Sequence, residues 1–169
     1  IRAAQRAGFL YAAVGIESIN PSVLGSNNAI KKAGVNGSND PLTKMKENIR
    51  FIQDLGIIIS GWFVVGYDED TIDTYYSTFD FCREMHILPA IFPPHALPGT
   101  PLYKRAEKEG RLTKTRFTDI THPTITDDDI EKALKHILRN GYSPLANLKR
   151  IAFHWPRFKG DKIHKSIFL

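Results

Sequence analysis

Three short stretches hold the side chains best placed for chemistry: Gly15-Ile16-Glu17-Ser18, then Val64-Val65-Gly66-Tyr67-Asp68-Glu69-Asp70-Thr71, then Leu97-Pro98-Gly99-Thr100-Pro101-Leu102-Tyr103. Glu17 is a carboxylate at the end of an apolar run, where a buried charge needs a partner or a polar ligand, and Ser18 adds a hydroxyl. Pairing with a basic residue, or capping of a turn, explains Glu17 equally well. Gly66 permits close backbone approach, and Asp68, Glu69 and Asp70 follow it at the start of a helix. Acids there are favoured by the helix dipole and by N-capping, so Asp70 with Thr71 reads first as a structural cap. Three acids could hold a divalent cation, but no further ligands at a diagnostic spacing accompany them. The Leu97 to Pro101 loop is fixed by two prolines and freed by one glycine. Such a loop presents main-chain groups of the kind that read an adenine edge, and a ligand-free turn entering a helix would look the same. Of the histidines only His95, just after a strand end, stands where a site would be, and a lone loop histidine is more often a surface residue. There is no paired-histidine metal spacing, nucleophile elbow, phosphate loop or dinucleotide-binding fingerprint.

The elements that must position these residues alternate in type. Ile1 to Ala7 reads as a helix stopped by Gly8, and Phe9 to Ile16 as a strand apolar throughout and therefore buried on both faces. Asn20-Pro21-Ser22 turns the chain, and Gly25 to Asp40 reads as loop with one helical turn near Ile30. Asp40-Pro41 pairs an N-cap acceptor with proline at the first helical position. Leu42, Met45, Ile49, Ile52 and Leu55 then mark one face of a helix. A strand over Ile57 to Val65, a helix over Thr71 to Met85 and a strand over Ile87 to Phe92 follow. Cys82 lies on the apolar stripe of that helix. Strand, helix, strand, helix, strand implies parallel pairing, and ligand sites of such folds lie at the carboxyl ends of the strands. Thr100-Pro101 opens another helix, which Gly110 ends. Residues 111–125 turn Thr-, Arg- and Lys-rich and read as a boundary. Thr126 with Asp129 resembles a capping box before a stripe of Ile130, Ala133, Leu134, Ile137 and Leu138, which Gly141 ends. Ser143-Pro144 opens a last helix to about Phe153, and His154 to Leu169 has no clear period.

The composition of this 169-residue chain, 42% hydrophobic and 24% charged, suits one core with a small appendage. Its net charge of +5 arises between Lys149 and Leu169, where six basic residues face one acid, so the rest is balanced. A basic tail of this kind is commoner as a solvated end than as a nucleic-acid site, and no nucleic-acid partner is expected. Cys82 is the only cysteine, which excludes an internal disulfide and a multi-cysteine metal cage from this chain and fits a reducing cytoplasm. The longest apolar stretch, Leu55 to Tyr67, is broken by Gly56, Ser60, Gly61 and Gly66, so no membrane span is expected. The chain opens at Ile1 in what reads as mid-helix, without Met or a signal-peptide pattern, as a piece of a longer protein would.

Taken together, the three junctions resemble the second half of the radical S-adenosylmethionine (radical SAM) enzyme core, in the subgroup with an N-terminal cobalamin-binding domain. The Gly15 to Ser18 strand end with Asn20-Pro21, and Lys32-Ala33-Gly34-Val35-Asn36 after it, are similar to that subgroup's Gly-Ile-Glu-Ser strand end and Lys-Gly-x-Asn loop. Phe63 to Thr71 and Leu97 to Tyr103 are similar to its next two strand ends. The resemblance runs from about Gly8 to Leu112. It implies an α/β fold made of the last three βα units of a partial six-unit TIM-like barrel (residues 1–112), then a mainly helical extension with a basic tail (residues 113–169). It also implies S-adenosylmethionine bound across the strand ends, with Glu17 and Ser18 near its ribose or amino-acid portion and Val64, Val65, Gly66, His95, Ala96 and Leu97 against its adenine. The family reaction uses a four-iron four-sulfur (4Fe-4S) cluster on an upstream Cys-x-x-x-Cys-x-x-Cys motif, whose electron cleaves the cofactor to a 5′-deoxyadenosyl radical. This chain has none of those cysteines, so it is expected to need a missing N-terminal half of the barrel and to be inactive alone. Cobalamin would enter through a domain outside this stretch. Substrate and reaction type stay open, and a degenerate homologue that binds a nucleoside-like ligand, or a purely structural βα module, is the other reading of the same residues.

Overall fold

The computed structural model describes residues 1–26 and 40–158. The Lys32 to Asn36 loop, the helical turn near Ile30 and the tail after Phe158 lie outside the described residues. Strands β1 (Tyr11–Glu17), β2 (Ile58–Val64) and β3 (Leu88–Phe92) form one parallel sheet in the order β1-β2-β3. Around them run α1 (Arg2–Arg6), α2 (Pro21–Ser26), α3 (Pro41–Asp54), α4 (Ile72–Glu84), α5 (Pro101–Lys108), α6 (Asp127–Gly141) and α7 (Pro144–His154).

Local signals place most helix starts. Asp40 accepts from the Thr43 N–H at 3.1 Å, with Pro41 opening α3, and Ser143 accepts from Ala146 with Pro144 opening α7. Thr126 and Asp129 form the reciprocal capping box that starts α6. Pro21–Ser26 is also helical, where the sequence reads a turn running into loop. Asn20 caps it, its side-chain oxygen accepting from the Ser22 N–H at 3.1 Å, and its proline sits at the first helical position.

One face of the sheet is the core. Ile16, Ile59, Phe63 and Ile91 meet Met45 and Ile49 of α3, Tyr75, Phe79 and Cys82 of α4, and Ile130, Ala133 and Ile137 of α6. Leu138 departs from the expected stripe and is exposed. Gly141 belongs to the last turn of α6, and its missing side chain admits Pro89 and Phe79, which a Cβ would approach to 2.9 and 3.1 Å.

The opposite face is open, which corrects the reading of the first strand as buried on both faces. Burial in β1 alternates, and Tyr11 is 52% exposed, in line with Trp62 (48%) on β2 and Phe92 (45%) on β3. The apolar run from Phe9 therefore hides a period of two, with Tyr11, Ala13 and Gly15 on the more exposed face. At the outer rim, Pro89 has no N–H to offer, and its carbonyl accepts from the Tyr142 hydroxyl at 2.6 Å. Both features blunt the β3 edge.

Gly61 is the tightest point of the core, since a Cβ there would stand 2.8 Å from both Ile87 and Phe63 and 3.0 Å from Ile16. We expect Gly61→Val to destabilise the fold by about 3 kcal/mol in urea denaturation, through overpacking; a change within about 0.5 kcal/mol would contradict this packing.

At the base of the sheet His154 is buried, and its Nε2 meets the His86 carbonyl at 3.2 Å. His86 in turn stacks on Phe153 at 4.0 Å. Burial, followed by neighbouring arginines, holds His86 below its ordinary value of 6.5, and burial chiefly does the same to His154. Their folded-state pKa values therefore lie below the unfolded one, so on acidification the unfolded chain takes up these protons first. Stability from these groups is whole above about pH 6.5 and declines as pH falls through that value. The urea midpoint should drop between about pH 7.5 and about pH 5.5, and less so in His154→Phe; equal slopes in the two proteins would contradict this account.

Candidate functional site

The carboxyl ends of the three strands come together on one rim, each held by a different device. At β1 the register slips between Gly15 and Glu17, a bulge that brings Glu17 opposite Phe63. Glu17 adopts φ +71°, a left-handed conformation that costs a non-glycine residue about 1–2 kcal/mol. Ser18 follows it, fully buried, and its hydroxyl oxygen accepts from the Asn20 N–H at 3.0 Å.

At β2, Val64 faces the open side while Val65 is buried on the helix side. The Val65 carbonyl accepts from the Tyr75 hydroxyl at 2.7 Å, and its N–H donates to Phe92 at 2.9 Å. Gly66 turns the chain at φ +119°, and a Cβ there would press on Pro94 at 3.1 Å and on the Tyr75 hydroxyl at 3.3 Å. The acids after it do separate tasks. Thr71 is the N-cap residue of α4, and the Thr74 hydroxyl accepts from its N–H at 3.1 Å. Asp70 is no helix cap, because its carboxylate turns back to the Gly66 and Tyr67 N–H groups at 2.9 and 3.1 Å. Asp68 is taken by cations, with two hydrogen bonds from Arg111 at 3.0 Å each and Arg105 at 3.1 Å.

At β3 the loop is anchored by residues from farther along. Asp119 accepts from the Ala96 N–H at 2.7 Å and lies 3.7 Å from His95 Nδ1. The Leu97 carbonyl accepts from the Thr100 hydroxyl at 2.7 Å, which sets the start of α5. His95 and Leu97 are exposed and Ala96 is buried. Residues 111–125, where the composition shifts, strap these loops together. Thr118 donates to the Pro94 carbonyl, Leu112 pairs with Ile120, and His122 Nε2 meets the Tyr67 carbonyl at 3.0 Å. His122 Nδ1 accepts from Thr124 and Ile125, so Nε2 carries the proton that Tyr67 receives.

Beside the rim, on the open face, is a depression of about 260 Å³ lined by Ala13, Gly15, Glu17, Trp62, Phe63, Val64 and Phe92. Its floor is apolar, its small residues lie on β1, and Trp62 and Phe92 meet at 5.3 Å between ring centroids. Of the residues singled out by sequence, Glu17 and Val64 line it. Ser18, Val65, Gly66 and Ala96 do not line it: Ser18, Val65 and Ala96 are buried, Ala96 in a separate cluster with Ala106 and Ile120, and His95 and Leu97 lie exposed on the β3 loop. Trp62, Arg111 and Asp119 escape sequence reasoning, and Asn20 and Tyr67 stand in the junctions without a site role assigned to them. Burial, then the charges of Glu17 and Asp70, push the Tyr67 phenol above its ordinary range, so it keeps its proton and can donate a hydrogen bond at neutral pH. The alternation of β2 places Trp62 on the open face, and only knowledge of which face is open reveals it. A larger groove of about 600 Å³ between α4, α6 and α7 touches none of these residues.

No group of three or more His, Cys, Asp or Glu is placed to hold a metal ion among the described residues. Cys82 lies buried under α4 with its thiol pushed up by burial, which suits a core residue and does not fit an iron–sulfur ligand. Among the described residues no helix is long and apolar enough to cross a membrane.

Fold and rim define a βα protein in which three strand-end loops gather at the carboxyl end of a short parallel sheet. No family model matches the chain. Two curated relatives do: a hopanoid C-2 methylase from Rhodopseudomonas palustris, 27% identical over 90% of this chain, and a bacteriochlorophyllide d C-12(1)-methyltransferase from Chlorobaculum tepidum, 29% identical over 88%. The chain spans 28% and 32% of their respective lengths. The chain is thus similar over most of its length to two methylating enzymes, in keeping with the resemblance of its three junctions to the cobalamin-associated radical S-adenosylmethionine core.

Arg111 is the strap's main tie, since its side chain is only 16% exposed and also bonds Glu109 and the Thr121 carbonyl. Arg111→Ala should cost about 2 kcal/mol in urea denaturation by leaving Asp68 and Glu109 short of a partner. Arg111→Lys should recover only part of that, because a lysine cannot make the paired contact; full recovery would mean that charge alone holds the strap.

Proposed function

We propose that this chain is the cofactor-gripping part of a radical S-adenosylmethionine methylating enzyme, in which it supplies three βα units of a partial barrel. The observation that carries this reading is the left-handed Glu17 at the rim of the open-face depression, where two other family-like strand ends converge. The open, partly aromatic face and the side of β1 that no described strand pairs suit further strands from the remainder of the protein, and the blunted β3 edge suits a last strand.

In this reading Glu17 accepts hydrogen bonds from hydroxyl or ammonium groups of S-adenosylmethionine, and the apolar floor of Trp62, Val64 and Phe92 receives its uncharged portion. Gly66 keeps the second turn free of a side chain. The Ala96 and Leu97 backbone, set by Asp119, borders the adenine. Water is kept from the reacting end by the aromatic floor and by the strands that complete the barrel. The cluster ligands come from outside this stretch, so the stretch alone does not turn over, and cobalamin is carried by another domain. Methyl transfer to carbon is the reaction class, on the ground that both relatives are methylating enzymes by name.

Calorimetric titration of the full-length protein with S-adenosylmethionine tests the site. Glu17→Ala should weaken binding by about tenfold or more, the worth of a charged hydrogen bond. Unchanged affinity would remove Glu17 from the site.

A further inference from the structure

Asn20 and Asp70 join the first strand end to the second across 50 residues of sequence. Asp70 is 2% exposed, and its described partners are all N–H groups. One carboxylate oxygen accepts from Gly66 and Tyr67, and the other accepts from Asn20 Nδ2 at 2.9 Å. The same Asn20 amide donates to the Glu69 carbonyl at 3.1 Å. On the β1 side, the Asn20 backbone N–H is fixed by buried Ser18, and its side-chain oxygen by Ser22. Every polar group of the Asn20 side chain is therefore committed to one turn or the other.

Glu17 is the last residue of β1, three residues before Asn20 in the chain. It is one of two described non-glycine residues with positive φ, the other being His86 at the far end of the sheet. A left-handed glutamate persists only where its surroundings over-determine it, and here the next residue along the chain is the clamp's anchor.

We propose that Asn20 and Asp70 are positioning residues of the cofactor site: they hold Glu17 in its left-handed conformation and lock the Gly66 turn to it. The two strand ends then meet the ligand as one preformed unit. This rests on the reading of Glu17 as a cofactor contact. Without the clamp, each binding event would have to freeze the β1 end and the Gly66 turn separately, and the cost would appear as lost affinity exerted through Glu17.

A double-mutant cycle on the full-length protein tests this, with S-adenosylmethionine affinity read by calorimetry and folding by thermal melting. Asn20→Ala should weaken binding about tenfold in the wild-type background and less than about twofold in Glu17→Ala, because the clamp acts through a residue already removed. Asp70→Asn keeps the shape and replaces an acceptor oxygen with a donor facing the N–H groups. It should behave in the same way, and it carries the test if Asn20→Ala does not fold. Losses that add fully to that of Glu17→Ala, or wild-type affinity in both clamp variants, overturn the proposal. A wild-type protein that does not bind S-adenosylmethionine, or a Glu17→Ala variant that binds like wild type, overturns the reading of the site itself and is recognisable as a separate result.

Discussion

The interlock of Ile16, Gly61, Phe63 and Ile87 on the helix-covered side of the sheet is the contact from which each strand end takes its position. Strand side chains alternate with a period of two, so burying this face sends Tyr11, Trp62, Val64 and Phe92 to the other. A slip of one residue would bury the wrong set and open the core. Register, and with it the height at which β1, β2 and β3 end, is therefore set by packing on the side remote from the site.

Above that layer the strand ends are tied by hydrogen bonds from other loops, with a small apolar cluster of Ala96, Ala106 and Ile120 under the β3 loop. Asp70 ties the Gly66 turn within its own loop and, through Asn20, the β1 turn, and the β3 loop takes its anchors from Asp119 and Thr118 farther along the chain. This suits a ligand rim, where apolar filling would occupy the space a ligand needs. It also leaves the main-chain groups in fixed directions. The strap of residues 111–125 extends this logic, with Arg111 and His122 each reaching back to the loop after β2.

The elements were legible wherever their cause lies within a few residues. Asp40-Pro41, Thr126 with Asp129, and Ser143-Pro144 announce helices α3, α6 and α7 because an N-cap needs only its own turn. The helix of Pro21–Ser26 does not stand out in the sequence because the same Asn-Pro pair marks both turns and helix starts. The one-sided burial of the first strand is not legible because an unbroken apolar run does not say which face another element covers. Glu17, Gly66 and the Leu97 loop stand out by residue type and order, yet Asp70 looks like a cap next to a helix start until its carboxylate is seen to point backwards.

The order of βα units, the helix caps and the three strand-end junctions are properties of the sequence by itself, since periodicity and capping are short-range and survive without knowledge of the fold. Only the tertiary structure decided that Glu17 is left-handed, that Asp70 belongs to Asn20 and not to α4, that Asp68 belongs to Arg111, and that Trp62 faces an open side. These are pairings across about 40 to 50 residues, or choices between two faces of a strand. Neither leaves a local trace, because the free energy that selects them comes from groups brought together only once the sheet has formed.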